Sequence, residues 1–554
     1  MQGEKSLRLS IVSFIIAIFS LAILIKLFYL QIFASSSFKK LAQKQHTYML
    51  KLSGERGKIL DSQGLVLAED IPSYSLYALP GKIKDRKELA KKLAQILEED
   101  YSEIFRRVSK DKPFVWIKRK LTKDAKEELT LLEEEGLGFI EELRRFYPQK
   151  NLASHILGIV NIDNKGLEGL ELKFDEYLRP KEGRAMLLRD SRGKILPLYK
   201  ELIPPRLGFN LVLNIDFQIQ YFSQRFLEET IKETKAKAGE VLVLQPWTGK
   251  ILALANFPDF DPNAPSGYPS SSLRNRVITD FYEPGSVFKI VTLLASLSEK
   301  PELLSKKFFC ENGSYKIPGS ILHDWKNFSE LSFKDVFKNS SNIGVAKIAN
   351  ILGREVLYKY IKKLGFGEIT GVDLPGEVKG IVKPLSRWSK TSSFIIPIGQ
   401  EVAVTLIQLA RAFSVIANGG YLIRPYVVDK IVDNKGVLIK KFYPQRKKVF
   451  PKEVIEKAKE ILFKVVEEGT GKKAKVEGVK IAGKTGTSQK IDEKGGYSSS
   501  RYYASFVGFF PLEEPQYLIA VVIDEPKTYH YGGMVAAPLF KKIAEKIIEY
   551  KRLK

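Results

Sequence analysis

The sequence is poor in the residues that build disulfides and metal sites. Its 554 residues include one cysteine, Cys310, and four histidines. A single cysteine excludes a disulfide within the chain. Because many exported bacterial proteins also lack disulfides, this does not identify the cellular compartment. The histidines are too scattered for a metal-ligand pattern: His46, His155, His323 and His530. We therefore predict no metal and no other cofactor.

The sequence also lacks a recognisable nucleic-acid-binding module. Its formal net charge is +25, with acidic and basic residues both abundant. Such a balance is compatible with nucleic acid, with an anionic surface, or with the ion-pair-rich surface of a heat-adapted protein. Because the positive charge is spread along the chain, we rank nucleic acid last and predict no nucleic-acid partner.

Long apolar runs are missing except at the N-terminus. The apolar segment from Leu9 to Phe33 has Lys26 as its only charged residue. At ~1.5 Å per residue it can cross a hydrocarbon layer of ~30 Å. A cleaved signal peptide is the alternative, but the run exceeds the ~7–15 residues of a signal core. We predict a single-pass anchor at 9–33 after a tail at 1–8; the flanking lysines do not decide its orientation.

The character of the chain changes around Pro204-Pro205. Residues 38–208 mix short strand-like pieces with charged amphipathic helices. Residues 209–554 contain apolar strands, a helical middle, three late strands around 480–487, 503–510 and 517–524, and an amphipathic C-terminal helix. Strands before and after a helical middle predict an α+β domain with an antiparallel sheet covered by helices. We predict a domain boundary at 208.

One apolar helix carries a single charge. The segment Ser286 to Leu297, SVFKIVTLLASL, is apolar nearly all round except for Lys289. Positions i and i+3 share a helix face, so Ser286 and Lys289 can meet. Burial would lower the pKa of Lys289 and leave some free amine that can take the proton of Ser286. The alternative is that the side chain of Lys289 extends to solvent and has no catalytic role. The same spacing recurs without this context at Ser36, Ser37, Ser109 and Ser191.

Two further polar segments have suggestive spacing. Ser340 and Asn342, at i and i+2 before an apolar run, can aim a hydroxyl and an amide at one point, or simply cap a helix. Lys484-Thr485-Gly486 lies in strand-like sequence, where the glycine permits close approach by another backbone, or is merely a glycine in a strand.

Together the three segments resemble the Ser-x-x-Lys, Ser-x-Asn and Lys-Thr-Gly motifs of the penicillin-recognising serine acyltransferases. The neighbouring Glu283-Pro284-Gly285 and Gly532-Gly533 resemble the class B penicillin-binding proteins. So does the first domain, with Arg56-Gly57 and Tyr147-Pro148, and the resemblance covers nearly the whole chain. Within this class, Asn342 in the second motif resembles the division-specific members; an elongation-type enzyme is the alternative.

The resemblance implies a peptidoglycan D,D-transpeptidase that cross-links stem peptides through a serine acyl-enzyme and is acylated by β-lactams. It implies that Ser286 is the nucleophile and Lys289 its base, that Ser340 and Lys484 relay a proton, and that Asn342 binds the substrate amide. The backbone N–H groups of Ser286 and Thr487 would form an oxyanion hole. The implied substrate-binding residues are Thr485, Gly486 and Thr487.

The resemblance also implies architecture and surroundings. An elongated mixed α+β pedestal at 38–208 would precede a transpeptidase domain of the penicillin-binding and serine β-lactamase type. The chain would sit in the inner (cytoplasmic) membrane with its catalytic domain on the periplasmic side. Implied partners are a polytopic glycosyltransferase of the shape, elongation, division and sporulation (SEDS) family and other divisome or elongasome proteins. A membrane-anchored β-lactam hydrolase or sensor is an alternative, but it does not need the pedestal.

Overall fold

The structure is a computed structural model that describes residues 2–39, 47–189, 195–492 and 495–552. The chain divides into two compact units, one formed by 1–55 with 180–208 and the other by 56–179 with 209–554. The two units are described separately below, and the boundary predicted at residue 208 stays a prediction.

Strands are distributed along most of the chain. Up to residue 260 they are β1 (Thr47–Leu52), β2 (Ile59–Leu60), β3 (Val66–Ala78), β4 (Val115–Leu121), β5 (Leu137–Phe146), β6 (Gly183–Arg189), β7 (Ile195–Ile203), β8 (Asn210–Leu213), β9 (Ala238–Leu244) and β10 (Ile251–Phe257). After it they are β11 (Lys307–Phe309), β12 (Ser314–Ile317), β13 (Ser320–His323), β14 (Glu330–Ser332), β15 (Ile381–Val382), β16 (Val402–Ala403), β17 (Tyr421–Ile423), β18 (Val428–Val432), β19 (Leu438–Lys441), β20 (Arg446–Lys448), β21 (Ala482–Ile491), β22 (Tyr497–Phe510) and β23 (Tyr517–Asp524).

Helices alternate with these strands. The α-helices are α1 (Gln2–Phe28), α2 (Arg86–Leu97), α3 (Tyr101–Val108), α4 (Lys123–Thr130), α5 (Ser154–Leu157), α6 (Gly169–Lys173), α7 (Asp175–Leu178), α8 (Phe217–Thr234), α9 (Ser270–Leu273), α10 (Arg276–Thr279), α11 (Ile290–Glu299), α12 (Phe333–Lys338), α13 (Asn342–Leu352), α14 (Arg354–Lys363), α15 (Ser392–Ile395), α16 (Leu406–Ala417), α17 (Lys452–Glu467) and α18 (Gly532–Lys551).

The first unit contains the N-terminal helix and a small sheet. Helix α1 continues as a π-helix over Tyr29–Phe33. The segment Lys5–Phe33 is long and apolar enough to cross a membrane, and it is the one such helix among the described residues. Strands β1, β6 and β7 pair antiparallel in that order. This helix coincides with the predicted anchor.

The second unit is built around a five-stranded antiparallel sheet in the order β10-β9-β23-β22-β21. Its residues alternate between two faces, as a two-residue period requires. Val241 and Val243 of β9 pack with α8 and α18, whereas Leu242 and Leu244 pack with α11, α16 and α17 on the opposite face. The predicted antiparallel sheet covered by helices is therefore confirmed.

A second sheet of this unit joins distant parts of the sequence. Its strands follow the order β19-β18-β8-β2-β3-β4, and β5 pairs with β3. Strand β2 runs parallel to β8, with Ile59 opposite Leu211 and Leu60 opposite Val212. Strands from both predicted domains thus share one sheet.

Candidate active site

The segment Ser286–Leu297 does not begin as an α-helix. Gly285–Lys289 forms a 3-10 helix, and the α-helix starts at Ile290. Side chains at i and i+3 eclipse in a 3-10 helix, so Ser286 and Lys289 remain on one side of this turn. Gly285 has a φ of +56°, and a β-carbon there would lie 2.5 Å from the carbonyl oxygen of Thr487. Only glycine therefore lets this turn approach strand β21 so closely.

Lys289 is fully buried beneath this turn. Its Nζ donates hydrogen bonds to the carbonyl oxygen of Ser340 at 2.6 Å, to Ser340 Oγ at 3.2 Å and to Asn342 Oδ1 at 2.8 Å. Burial lowers the pKa of Lys289 to about 7, against the opposing effect of the Asp324 carboxylate. A substantial fraction of free amine is therefore present at neutral pH.

The side-chain contact expected between Ser286 and Lys289 is not formed as a hydrogen bond in this structure. Within the described parts of the chain, no hydrogen bond joins Ser286 Oγ to Lys289 Nζ. An ammonium group has three donors and no lone pair, and all three donors of Lys289 are directed at Ser340 and Asn342. Loss of one proton frees a lone pair, so the amine accepts a proton only in its neutral form.

Ser340 lies in the three-residue connection between α12 and α13. Its φ is +58°, which is uncommon for a residue with a side chain and marks a constrained backbone. The helix-cap alternative applies to its neighbour, because Ser341 is the N-cap of α13 and accepts from the N–H of Gly344 at 2.9 Å. Capping by Ser341 leaves the hydroxyl of Ser340 free to face the lysines.

Lys484 of β21 approaches the same hydroxyl from the sheet. It is buried, and its Nζ donates to Ser340 Oγ at 2.8 Å and to the carbonyl oxygen of Thr485 at 3.1 Å. Burial, followed by the nearby charge of Lys289, lowers the pKa of Lys484 well below its usual value. Ser340 Oγ thus lies between two amines of depressed pKa, an arrangement suited to moving a proton between them.

The Lys-Thr-Gly segment forms the outer edge of the five-stranded sheet. Thr485 Oγ1 lies 2.7 Å from Thr470 Oγ1, and Thr487 Oγ1 accepts from the N–H of Gly532 at 3.0 Å. A β-carbon on Gly486 would lie 2.9 Å from the carbonyl oxygen of Pro284 and would overlap the side chain of Ser505. Gly486 therefore lets the edge strand contact the turn that carries Ser286.

These elements surround a cavity of about 670 Å³. The predicted site residues on its surface are Ser286, Ser340, Asn342, Thr485, Gly486 and Thr487. Lys289 and Lys484 are not among the lining residues; they lie behind Ser340, to which both donate. The structure thus brings all eight predicted residues into one cluster.

Several residues of the cluster were not predicted from the sequence. The carboxylate of Asp324 accepts from the backbone N–H of Asn342, from that of Ile343 at 3.2 Å and from Ser341 Oγ at 2.7 Å. The carbonyl oxygen of His323 accepts from Asn342 Nδ2 at 2.9 Å. This loop therefore orients Asn342 and the start of α13. Neither spacing nor composition signals this role, because the loop and the helix meet only after folding.

An aromatic cluster lines part of the cavity. The rings of Tyr502 and His530 stack with centroids 4.3 Å apart, and Tyr531 follows at the same distance from His530. Tyr502 pairs in register with Gln489, the last residue of the edge strand that lines the cavity. The lining also includes Thr470, which contacts Thr485, and the nearby Lys472 and Lys473.

Comparisons with known proteins give the same family over most of the chain. Residues 239–545 match the family model described as the penicillin binding protein transpeptidase domain. Residues 51–213 match the model described as the penicillin-binding protein dimerisation domain.

Individual relatives align over nearly the full length. Stage V sporulation protein D of Bacillus subtilis is 34% identical over 94% of this chain and 82% of its own length. The peptidoglycan D,D-transpeptidase FtsI of Escherichia coli is 29% identical over 93% and 87%. The solved structure of penicillin-binding protein 3 from Mycobacterium tuberculosis complexed with aztreonam has a TM-score of 0.71 at 26% identity, covering 91% of this chain and 98% of that one.

Proposed function

The chain belongs to the class B penicillin-binding proteins, and from this premise we propose that it cross-links peptidoglycan stem peptides as a serine D,D-transpeptidase. The observation that carries the assignment of roles is the position of Ser340 Oγ, 3.2 Å from Lys289 Nζ and 2.8 Å from Lys484 Nζ, in the wall of the cavity that also contains Ser286. In this proposal Ser286 is the nucleophile, Lys289 is its base, Ser340 is the proton relay and Lys484 is the second amine.

The donor peptide would bind along the edge strand. Residues 485–489 line the cavity, and β21 is the terminal strand in the order of its sheet. An extended peptide ending in D-alanyl-D-alanine can pair with such an edge. The Asn342 amide would bind a peptide carbonyl, and the Thr485 and Thr487 hydroxyls would bind the terminal carboxylate.

Acylation follows from this placement. The neutral amine of Lys289 takes the proton of Ser286, whose Oγ forms a bond to the carbonyl carbon between the two D-alanines. The N–H groups of Ser286 and Thr487 would stabilise the tetrahedral oxyanion, worth about 3 kcal/mol per donor. The C–N bond then breaks, and the departing D-alanine amine receives a proton through Ser340 and Lys484. An amine of a second stem peptide completes the cross-link, and a β-lactam would enter in place of the donor.

Labelling with a fluorescent penicillin tests the nucleophile. The full-length protein in detergent should be labelled, and Ser286→Ala should lose the label completely. Ser109→Ala is the matched control, because Ser109 and Lys112 repeat the Ser-x-x-Lys spacing in the first domain. A Ser286→Ala protein that is still labelled would refute the assignment.

We propose that the enzyme acts in septal wall synthesis, and the feature that supports this is Asn342 in the second motif. Depletion in the native host distinguishes the possible roles. Filamentous cells are expected from a division enzyme, whereas rounded cells would instead indicate elongation.

We further propose that the chain is a single-pass protein of the cytoplasmic membrane with its catalytic domain outside. Supporting this are the helix over Lys5–Phe33 and the location of the peptidoglycan substrate. Protease added to spheroplasts should then degrade the catalytic domain.

A SEDS glycosyltransferase is the proposed membrane partner. Substitution of the exposed apolar residues of α1 should reduce its co-purification, and unchanged recovery would count against this contact.

A further inference from the structure

One surface of the second unit carries charge of a single sign. Residues 434–448 contain strands β19 and β20 and the connection between them, and they include no aspartate or glutamate. All of them except Phe442 are exposed. The basic residues of this stretch are Lys435, Lys440, Lys441, Arg446, Lys447 and Lys448. We call residues 434–448 the basic edge; none of them belongs to the described lining of the cavity around Ser286.

The six cations of the basic edge have no carboxylate partners. In the part of the chain that the structure describes, none of them forms an ion pair with an aspartate or glutamate. The acidic residues just before the basic edge are engaged elsewhere: Asp429 pairs with Lys250 at 3.1 Å, and Asp433 accepts from two backbone N–H groups of its own turn. Three of the six cations lie over aromatic rings, which attract a cation but do not neutralise it.

Two lysines face each other across the hairpin of β18 and β19. Lys441 is directly opposite Lys430. The N–H of Phe442 donates to the carbonyl oxygen of Asp429 at 2.8 Å, so the preceding pair, Lys430 and Lys441, is a non-hydrogen-bonded pair, in which side chains lie closest. Like charges directly opposite each other destabilise a sheet. An anion bound beside these two lysines would therefore relieve a repulsion within the hairpin.

The same pairing leaves backbone groups of β19 free. The N–H and C=O of Lys441 point away from β18, because hydrogen-bonded and non-hydrogen-bonded pairs alternate along an antiparallel ladder. Strand β19 is terminal in the order of its sheet. Beside Lys441, the exposed fractions of Val437, Leu438 and Ile439 are 58%, 53% and 44%. Exposed apolar residues on an edge strand favour pairing with a further strand, and lysines there repel a basic one and attract an acidic one.

These features favour an acidic peptide over other anionic ligands. A polyphosphate would neutralise the lysines but would leave the apolar residues uncovered. An anionic lipid surface would cover the apolar residues, but its hydrocarbon offers no hydrogen bonds to the backbone of a strand edge. An extended peptide that alternates acidic and apolar side chains supplies hydrogen bonds, negative charge and apolar contact together.

We propose that the basic edge binds an extended acidic segment of a partner protein, which adds to β19 as a further strand. Its backbone would pair with the outward N–H and C=O of Lys441, and its carboxylates would lie beside Lys430 and Lys441. Its apolar side chains would contact residues 437–439. Because the basic edge shares no residue with the described lining of the catalytic cavity, this interaction goes beyond the proposed transfer reaction and does not depend on it.

A synthetic peptide tests this proposal. The probe is a short fluorescent peptide in which glutamate alternates with valine, and its matched control is the same peptide with N-methyl groups on consecutive central amides. Both carry the same charge, but only the first can pair as a strand. Fluorescence anisotropy with the full-length protein in detergent at low ionic strength should show at least about tenfold tighter binding of the unmethylated peptide, weakened by added salt. Equal binding of the two peptides would overturn strand addition.

Substitutions of Lys441 locate the contact. Lys441→Glu should weaken binding of the unmethylated peptide at least about tenfold, because it places a negative charge beside the incoming carboxylates. Lys306→Glu is the matched control, since it changes the net charge equally at an exposed lysine before β11 and should keep binding within about twofold of wild type. Lys441→Gln and Lys441→Pro remove the same charge, but only proline removes the outward N–H. Only Lys441→Pro should therefore largely remove the difference between the two peptides.

The remaining outcomes also decide the proposal. Circular dichroism checks the fold of Lys441→Pro, and the Lys441→Glu comparison does not depend on that variant. Peptide binding that Lys441→Glu leaves unchanged would assign the peptide to another edge, such as β21, and would overturn the proposal. Polyphosphate that binds as tightly as the peptide and displaces it would also overturn the proposal, because a general anion site requires no added strand.

Discussion

Burial changes the acid–base behaviour of Lys289. In water a lysine is almost entirely protonated at neutral pH and cannot act as a base. Exclusion from solvent lowers the pKa of Lys289 to about 7, while Ser340 and Asn342 satisfy its hydrogen bonds. Its three oxygen acceptors stabilise the buried ammonium, and the loss of one proton leaves the free amine that the proposed mechanism uses as the base.

This pKa predicts the pH dependence of acylation. The second-order rate of penicillin acylation should rise about tenfold per pH unit below 7 and level off above it, because only the neutral amine accepts the proton of Ser286. Stopped-flow or gel-based labelling between pH 5.5 and 9 measures this profile, with circular dichroism at each pH to exclude unfolding. A rate that is constant across this range would contradict the role of Lys289.

Asp324 should tune the same midpoint. Its carboxylate raises the pKa of Lys289 and accepts a hydrogen bond from the backbone N–H of Asn342, the first residue of α13. Asp324→Asn removes the charge and keeps an oxygen acceptor, so the acylation midpoint should move to lower pH by about 0.5–1 unit, equivalent to about 1 kcal/mol. Asp433→Asn is the control, because Asp433 accepts from the N–H groups of Lys435 and Val437 in a distant turn. A midpoint that stays in place would show that Asp324 acts through structure alone.

At the scale of elements, the site depends on the contact between the turn that carries Ser286 and the edge strand β21. Gly285 has a left-handed φ, and Gly486 faces Pro284 across this contact. Neither position has room for a side chain. The two glycines thus set the separation between Ser286 and strand β21.

Gly285→Ala should therefore impair acylation more than folding. The added β-carbon costs about 1–2 kcal/mol in a left-handed backbone and overlaps the carbonyl oxygen of Thr487, which forces β21 away from the turn. A displacement near 1 Å can cost about 10²-fold in rate, and we expect at least that loss in penicillin acylation. Gly267→Ala is the control, since nothing lies within 4 Å of its added β-carbon. Acylation within a few-fold of wild type would exclude a tight contact.

The predicted strands agree with the observed strands to different extents. The strand predicted at 517–524 is confirmed in full because its apolar run is buried on both faces of the sheet. The strand predicted at 480–487 instead begins at Ala482 and extends to Ile491, because β22 continues the pairing beyond the apolar residues.

Some features of the candidate active site could be predicted from the sequence, and others could not. The burial of Lys289 could be predicted because it lies in an apolar helix, and the three motifs identified the residues of the cluster. The left-handed φ of Ser340 and the hydrogen bond from Asn342 to Asp324 depend on contacts between segments that are separated in sequence, which no local pattern encodes.

At the scale of the whole molecule, the second unit combines the segments 56–179 and 209–554. The pairing of β2 with β8 joins them in one sheet. A buried ion network supports the first segment: Glu171 accepts from Arg56 Nε at 2.6 Å and from Arg145 Nε at 2.7 Å, with all three side chains nearly or fully shielded from solvent. Burial of this network ties the start of β2 to β5 and α6.

Removal of Glu171 should test whether the two segments unfold together. Glu171→Ala leaves two guanidinium groups buried without their shared carboxylate, which should lower the free energy of unfolding by about 3–5 kcal/mol. If the shared sheet makes unfolding cooperative, the urea midpoint for loss of penicillin labelling should fall although Glu171 is absent from the catalytic cavity. Glu176→Ala, an exposed change on α7, should leave that midpoint unchanged. A labelling midpoint that stays constant in Glu171→Ala, while protease cleaves 56–179 more rapidly, would instead favour independent domains separated at residue 208.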